Sequence, residues 1–192
     1  MIDDGMFNDF KIDEVYALHN WPELPFGTFG VNSGPMMAAV DEFDILVKGK
    51  GGHAAAPHLT IDPVVISAQV ISSVQTIISR STNPVDKALI SITKINAGTA
   101  YNVIDNEVKM GGTIRTFKKE TRSYIEKRLR ELCTGIANAH GAEIEIQFDL
   151  VNKYPPTINS IKESNFAAKV AKDLVGEERV ITDIEPSMGG ED

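Results

Sequence analysis

Glu42-Phe43-Asp44-Ile45-Leu46-Val47-Lys48-Gly49-Lys50 alternates apolar and polar side chains, with Phe43, Ile45 and Val47 on one face. A period of two predicts a strand with one buried side. A glycine-rich turn carrying a histidine follows, Gly51-Gly52-His53-Ala54-Ala55-Ala56-Pro57-His58. Beyond it the pattern predicts a helix that begins after Thr60 as N-cap, holds Asp62 and Pro63 in its first turn, and runs to about Arg80. Strands are expected over 87–95 (Leu89, Ile90, Ile92, Ile95) and over 107–117 (Val108, Met110, Ile114). A second helix over 121–140 buries Ile125, Leu129, Leu132 and Ile136, and Gly141 closes it at the C′ position. A last strand spans 143–148, where Ile144, Ile146 and Phe148 alternate. The order βαββαβ predicts an α+β fold of the ferredoxin-like kind, a four-stranded antiparallel sheet with two helices on one face.

Working outward, three segments emerge. Residues 42–155 read as one compact unit. Residues 1–41 are short pieces punctuated by Gly27, Gly30, Gly34, Pro22, Pro25 and Pro35, and residues 156–192 hold a helix near 162–175, a short strand near Val180–Thr182 and a glycine-rich end. The first helix of the middle unit carries two apolar lines, one through Val64, Ala68, Ile71 and Ile78 and another through Ile66, Val70, Val74 and Ile77. Covering a sheet needs one stripe. The second is either buried by a larger domain or meets a partner subunit.

The chain has 192 residues, 42% of them hydrophobic and 24% charged, which is ordinary for a globular protein. Net charge is −8, with basic residues dispersed, so nucleic acid is not an expected partner. No apolar run reaches the length of a membrane span, and no signal-peptide pattern opens the chain. The single cysteine, Cys133, has no internal partner and lies on an apolar helical line, which reads as core filler and fits a reducing compartment such as the cytoplasm.

Three separated polar residues carry the chemistry. His53 follows glycines with no evident core purpose, although a solvated turn residue is the plain alternative. Asn102, in Ala97-Gly98-Thr99-Ala100-Tyr101-Asn102-Val103-Ile104, presents an amide at a strand end, and its alternative is a turn cap. Arg115, in Gly111-Gly112-Thr113-Ile114-Arg115-Thr116-Phe117, puts a guanidinium on a strand. Histidine, asparagine and arginine together suit a carboxylate and a developing oxyanion. His19, in Ala17-Leu18-His19-Asn20-Trp21-Pro22, reads by itself as a structural histidine beside a strand.

These motifs, with Ser187-Met188-Gly189-Gly190-Glu191-Asp192 at the end, closely resemble the zinc-dependent aminoacylase, carboxypeptidase and hippurate hydrolase superfamily, in its N-acyl-amino-acid amidohydrolase branch. The resemblance runs along the whole chain. It implies that 42–155 is the lid domain, through which such enzymes form homodimers, inserted between parts 1–41 and 156–192 of an α/β zinc-hydrolase catalytic domain. It implies hydrolysis of the amide bond of an N-acyl amino acid by metal-activated water. His53 would reach across the dimer to the developing oxyanion, Asn102 would position or polarise the scissile carbonyl, and Arg115 would clamp the α-carboxylate. His19 would be a ligand of zinc, with manganese or cobalt as alternatives. Family members place a proline after Asn-Val-Ile, where this chain has Asp105.

Such enzymes also carry a Cys-Gly-His segment and a Glu-Glu pair ahead of the position of Met1, and a last metal-binding histidine after the Gly-Gly-Glu-Asp segment. The chain therefore reads as a piece of an amidohydrolase, inactive alone and binding no metal tightly. The rival reading is a stand-alone dimerisation module or pseudoenzyme. His58 recurs in the family, but no role follows for it.

Overall fold

The computed structural model describes residues 3–148 and 154–191, so Met1, Ile2, Asp192 and residues 149–153 of the expected middle segment lie outside the described residues. In chain order the elements are α1 (Met6–Asp9), β1 (Phe29–Gly30), β2 (Gly34–Met37), β3 (Ala39–Lys48), β4 (Gly52–His53), α2 (Pro63–Thr76) and β5 (Ala88–Asn96). They continue with β6 (Val103–Ile104), β7 (Glu107–Thr116), α3 (Lys119–Ala139), β8 (Glu143–Phe148), β9 (Thr157–Asn159), α4 (Ile161–Val175) and β10 (Val180–Ile181). The chain divides into two compact units: residues 35–157 with 186–192, and residues 1–34 with 158–185.

The larger unit is built on one sheet of order β5-β7-β3-β8 in which every pair is antiparallel. Its alternation is that of the sequence: Phe43, Ile45 and Val47 of β3 lie with Val108, Met110 and Ile114 of β7 in a core shared with Ile66, Val70, Val74 and Ile77 of the first long helix and Ile125, Leu129 and Cys133 of the second. Burying each such large side chain contributes about 1.5–3 kcal/mol. Strand β3 starts at Ala39, earlier than Glu42. The sheet is thus entered from a fully buried Ala38-Ala39 step.

Helix caps explain the boundaries. Asp62, not Thr60, is the N-cap of α2: its Oδ1 accepts from the Val64 amide at 2.9 Å, while the Thr60 hydroxyl donates to the Pro57 carbonyl at 2.8 Å. The reason is Pro63 at the first helical position, which forces Asp62 into extended backbone. Helix α3 ends as expected. Gly141 takes φ +70°, its amide donates to Asn138 O, and the Ala142 amide donates to Ala137 O, which together close the last turn.

One expectation is corrected outright. The Ile66, Val70, Val74 and Ile77 line, a candidate partner stripe, is the sheet-facing core stripe and is buried throughout. Val64, Val65 and Ala68 face outward instead, with Ile71 and Ile78 half-buried beside the core. Residues 187–190 of the glycine-rich end are held by backbone bonds. The Ser187 amide donates to Met36 O at 2.9 Å, and the Ala38 amide is shared between Ser187 O and Gly189 O. A Cβ on Gly190 would stand 2.4 Å from Val40 Cγ2, so this segment lies directly on the start of β3.

Cys133 is fully buried, and burial pushes its thiol up to about 12. At pH 8 that leaves roughly one thiolate in ten thousand. A thiol reagent at pH 8 should therefore label the chain only after denaturant is added; stoichiometric labelling of the folded protein would refute the assignment.

The smaller unit pairs β1 with β10 in parallel and packs Ala168, Ala171 and Val180 against Phe29, Val31 and Val175. Helix α4 turns its small residues, Ser164, Ala168 and Ala171, inward and leaves Phe166, Val170 and Leu174 exposed. So thin a core predicts weak local stability. Amide exchange should be slowest in β3 and β7, and faster in β1, β10 and α4; equal protection in both units would show that the smaller core suffices by itself.

Candidate functional site

His53 and Asn102 come together on a two-stranded ribbon. Strand β4 pairs antiparallel with β6, with His53 opposite Val103 and Gly52 opposite Ile104. The Ala54 amide donates to Asn102 O at 2.9 Å, which sets the two residues at one end of the ribbon. Glycine is needed in the turn for close approach rather than for unusual φ. Gly49, Gly51 and Gly52 are absent from the positive-φ glycines, but a Cβ on Gly51 would lie 2.5 Å from Ile104 O and one on Gly49 would lie 2.1 Å from Ile61 O.

The His53 ring has a fixed hydrogen-bonding role. Its Nδ1 accepts from the Ala55 amide at 3.1 Å, and in the neutral imidazole an accepting Nδ1 leaves the proton on Nε2. His53 is exposed, as are Tyr101 and Asn102, so an Nε2–H donor, an amide and an aromatic ring project from one ribbon end. Asp105, where the resembling family has proline, accepts from Thr99 Oγ1 at 2.8 Å and so closes the loop that carries Asn102. Asn106 was not singled out from the sequence. Its Oδ1 accepts from the Gly51 amide at 2.9 Å and its main-chain oxygen from the Gly49 amide at 2.8 Å. The only local signal was an asparagine at a strand entrance, a side chain suited to capturing backbone donors; its partner 55 positions away was invisible. His58 sits exposed on a short 3₁₀ turn, Pro57–Leu59.

Arg115 is elsewhere. It is half-buried on β7, opposite Val40 of β3 and Leu89 of β5, on the sheet face away from the helices. Eight residue steps along the strand separate it from Glu107 at the ribbon end, a span of about 26 Å. Its cross-strand neighbour Val40 is the residue against which Gly190 packs, so Arg115 and the Ser187–Gly190 segment share that end of the sheet.

His19 is exposed, in irregular backbone, with its ring edge-on to Trp21 at 6.5 Å between centroids. Zinc takes about four ligands. Among the described residues no group of three or more His, Cys, Asp or Glu could hold a metal ion, so these residues do not by themselves form the metal centre that the resemblance implies. No helix among them is long and apolar enough to cross a membrane.

Comparison with known proteins gives a consistent result. Residues 38–141 match the family described as peptidase dimerisation domain. The chain is 39% identical to the N-acetylcysteine deacetylase of Bacillus subtilis over 192 residues, covering 100% of this chain and 49% of that protein. It is 37% identical to the hippurate hydrolase of Campylobacter jejuni over 195 residues, covering 100% of this chain and 50% of that one. A solved structure, the YXEP protein of Bacillus subtilis, described as a dinuclear metal binding peptidase from the M20 family, superposes with a TM-score of 0.67 at 37% identity over 90% of this chain and 41% of that chain. The chain spans about half the length of the curated relatives it matches. With the matched residues containing strands β3, β5 and β7 of the sheet and the ribbon that bears His53 and Asn102, the chain belongs to the M20 family of peptidases and amidohydrolases.

Proposed function

We propose that this chain contributes the lid and part of the catalytic domain of a metal-dependent amidohydrolase that cleaves the amide bond of N-acyl amino acids. The names of its relatives, a deacetylase of N-acetylcysteine and a hippurate hydrolase, support that substrate class. The sheet order β5-β7-β3-β8 with both long helices packed on one core supports a ferredoxin-like lid over 42–155. The uncovered Phe166, Val170 and Leu174 support assigning 1–41 and 156–192 to a larger catalytic domain. His19 would be one ligand of its divalent metal, zinc or alternatively manganese or cobalt.

One observation carries the assignment of roles: the Nε2–H donor of His53 and the amide of Asn102 stand at the opposite end of the sheet from Arg115. A substrate about 10 Å long cannot touch both ends of one strand, whose residues rise about 3.3 Å each. Two copies related by a twofold axis solve this, one supplying Arg115 and the other His53 and Asn102. Arg115 would pair with the α-carboxylate, Asn102 would hold the scissile carbonyl, and His53 would donate to its oxygen as negative charge develops. Removing an oxyanion donor of this kind costs about 10²–10³ in kcat.

Complementation tests this. In the enzyme expressed from its whole gene, His53→Ala and Arg115→Ala homodimers should each be nearly inactive. Mixed subunits should recover about a quarter of the wild-type rate, since half the dimers are mixed and each restores one of two sites. Mixtures no more active than the parents would mean that both residues serve one site from one chain.

The match of residues 38–141 to a peptidase dimerisation domain favours a second reading, a dimerisation module without catalysis. Assays of N-acetyl and N-benzoyl amino acids with added zinc, manganese or cobalt separate the two. The 192-residue chain is expected to show no turnover on either reading, whereas the product of the whole gene should turn over only on the first.

A further inference from the structure

We propose that Asn106 is a positioning residue that holds His53 in its donor state, an inference that deepens the oxyanion reading of His53 and rests on it for its catalytic consequence. Lys50 is held by two backbone bonds to Ile61, at 2.9 Å each, which leaves the step from Gly51 into the ribbon to be fixed from the other side. Strands β4 and β6 contribute two residues each, and the turn before His53 is three glycines and a lysine, the sequence with the most backbone freedom to lose. Asn106 bridges this turn twice, through its side-chain oxygen to the Gly51 amide at 2.9 Å and through its main-chain oxygen to the Gly49 amide at 2.8 Å. Because Asn106 immediately precedes β7, it ties the turn to the central strand pair of the domain.

From that anchor the geometry passes to the ring by short steps. Fixing Gly51 fixes the Gly52–Ile104 and His53–Val103 pairs, and the Ala54 amide then meets Asn102 O at 2.9 Å. Those bonds place the Ala55 amide 3.1 Å from His53 Nδ1, and that contact keeps the proton on Nε2. Without the Asn106 side-chain acceptor the Gly51 amide loses its partner while Gly49 and Lys50 stay held, so the freedom gained falls on Gly51, Gly52 and His53, where a displacement of about 1 Å at a group acting on a transition state costs up to about 10²-fold in rate.

The test has a readout on the chain as it stands. In long-range ¹H–¹⁵N spectra of the 192-residue protein, the wild-type His53 ring should show one neutral tautomer, protonated on Nε2. Asn106→Ala should show an average of both tautomers with the sheet amides unmoved, and Asn106→Asp, which keeps an acceptor oxygen, should restore the wild-type pattern. In the enzyme from the whole gene, Asn106→Ala should lower kcat about 10–100-fold with KM nearly unchanged, and should cost nothing further when His53 is already Ala. A single Nε2–H tautomer persisting in Asn106→Ala, or equal losses in both backgrounds, would overturn the positioning role. Should His53→Ala leave kcat intact while the tautomer still depends on Asn106, the positioning stands and the oxyanion reading falls.

Discussion

Val70→Asp should abolish cooperative folding of the sheet-bearing unit. Val70 is wholly buried between the sheet and α3, and in that core a carboxylate finds neither water nor a partner. Losing the valine also strips methyl contacts from a close-packed layer. An uncompensated buried charge belongs to the small set of changes that exceed about 4–5 kcal/mol, comparable with the whole stability of a domain of this size. Circular dichroism and urea unfolding would register the loss directly. Val65→Asp, one residue from the core stripe but more than half exposed, should leave folding within about 0.5 kcal/mol. If the outward face of α2 lies in the homodimer contact, Val65→Asp should shift the sedimentation coefficient to that of a monomer. A folded Val70→Asp protein would mean that the packing of α2 on the sheet is wrong, whatever its oligomeric state.

The second large effect lies where α3 joins the sheet. Asp41 continues the inward-facing row of Phe43, Ile45 and Val47, yet it is charged and only 6% exposed. It is tolerated because Arg122 grips it with a fork, Nε to Oδ2 at 2.6 Å and Nη2 to Oδ1. The Asp41 main-chain oxygen is also bonded by Thr113 Oγ1 at 2.9 Å, so the whole residue is committed. Arg122→Leu strands the carboxylate and should cost about 3–5 kcal/mol by urea denaturation. Leucine at both positions should recover most of that loss, since an apolar pair of similar volume needs no desolvation. A single Arg122→Leu variant as stable as wild type would show that Asp41 is solvated through some other route.

What could be read from the chain was what depends on neighbours in sequence. Strands β3 and β8 are marked by their period of two and β5 by an apolar run, each long helix by its 3.6 period, and Gly141 by the need for positive φ at a helix end. His53, Asn102 and Arg115 stood out because a histidine after glycines and polar groups at strand ends have little structural purpose. Asp62 was nearly recognised. Thr60 and Asp62 both have N-cap side chains, and the constraint that Pro63 puts on the residue before it selects Asp62.

Tertiary structure alone decided the rest. Helix α2 offers two apolar lines, and only the layer it packs against selects Ile66, Val70, Val74 and Ile77 as the core. The Ser187–Gly190 segment looks like a loose end until the buried start of β3 provides backbone partners for it. Asn106 and Gly51 lie 55 positions apart, and Asp41 and Arg122 lie 81 apart, so both bonds exist only because the sheet order brings those elements together. The separation of Arg115 from His53 is of the same kind. Spacing along a chain says nothing of distance across a fold, and the direction of β7 sets it. Local periodicity is a property of one segment and its solvent, so sequence determines it. Burial, register and the meeting of distant polar groups belong to pairs of segments, and only the packed layers determine those.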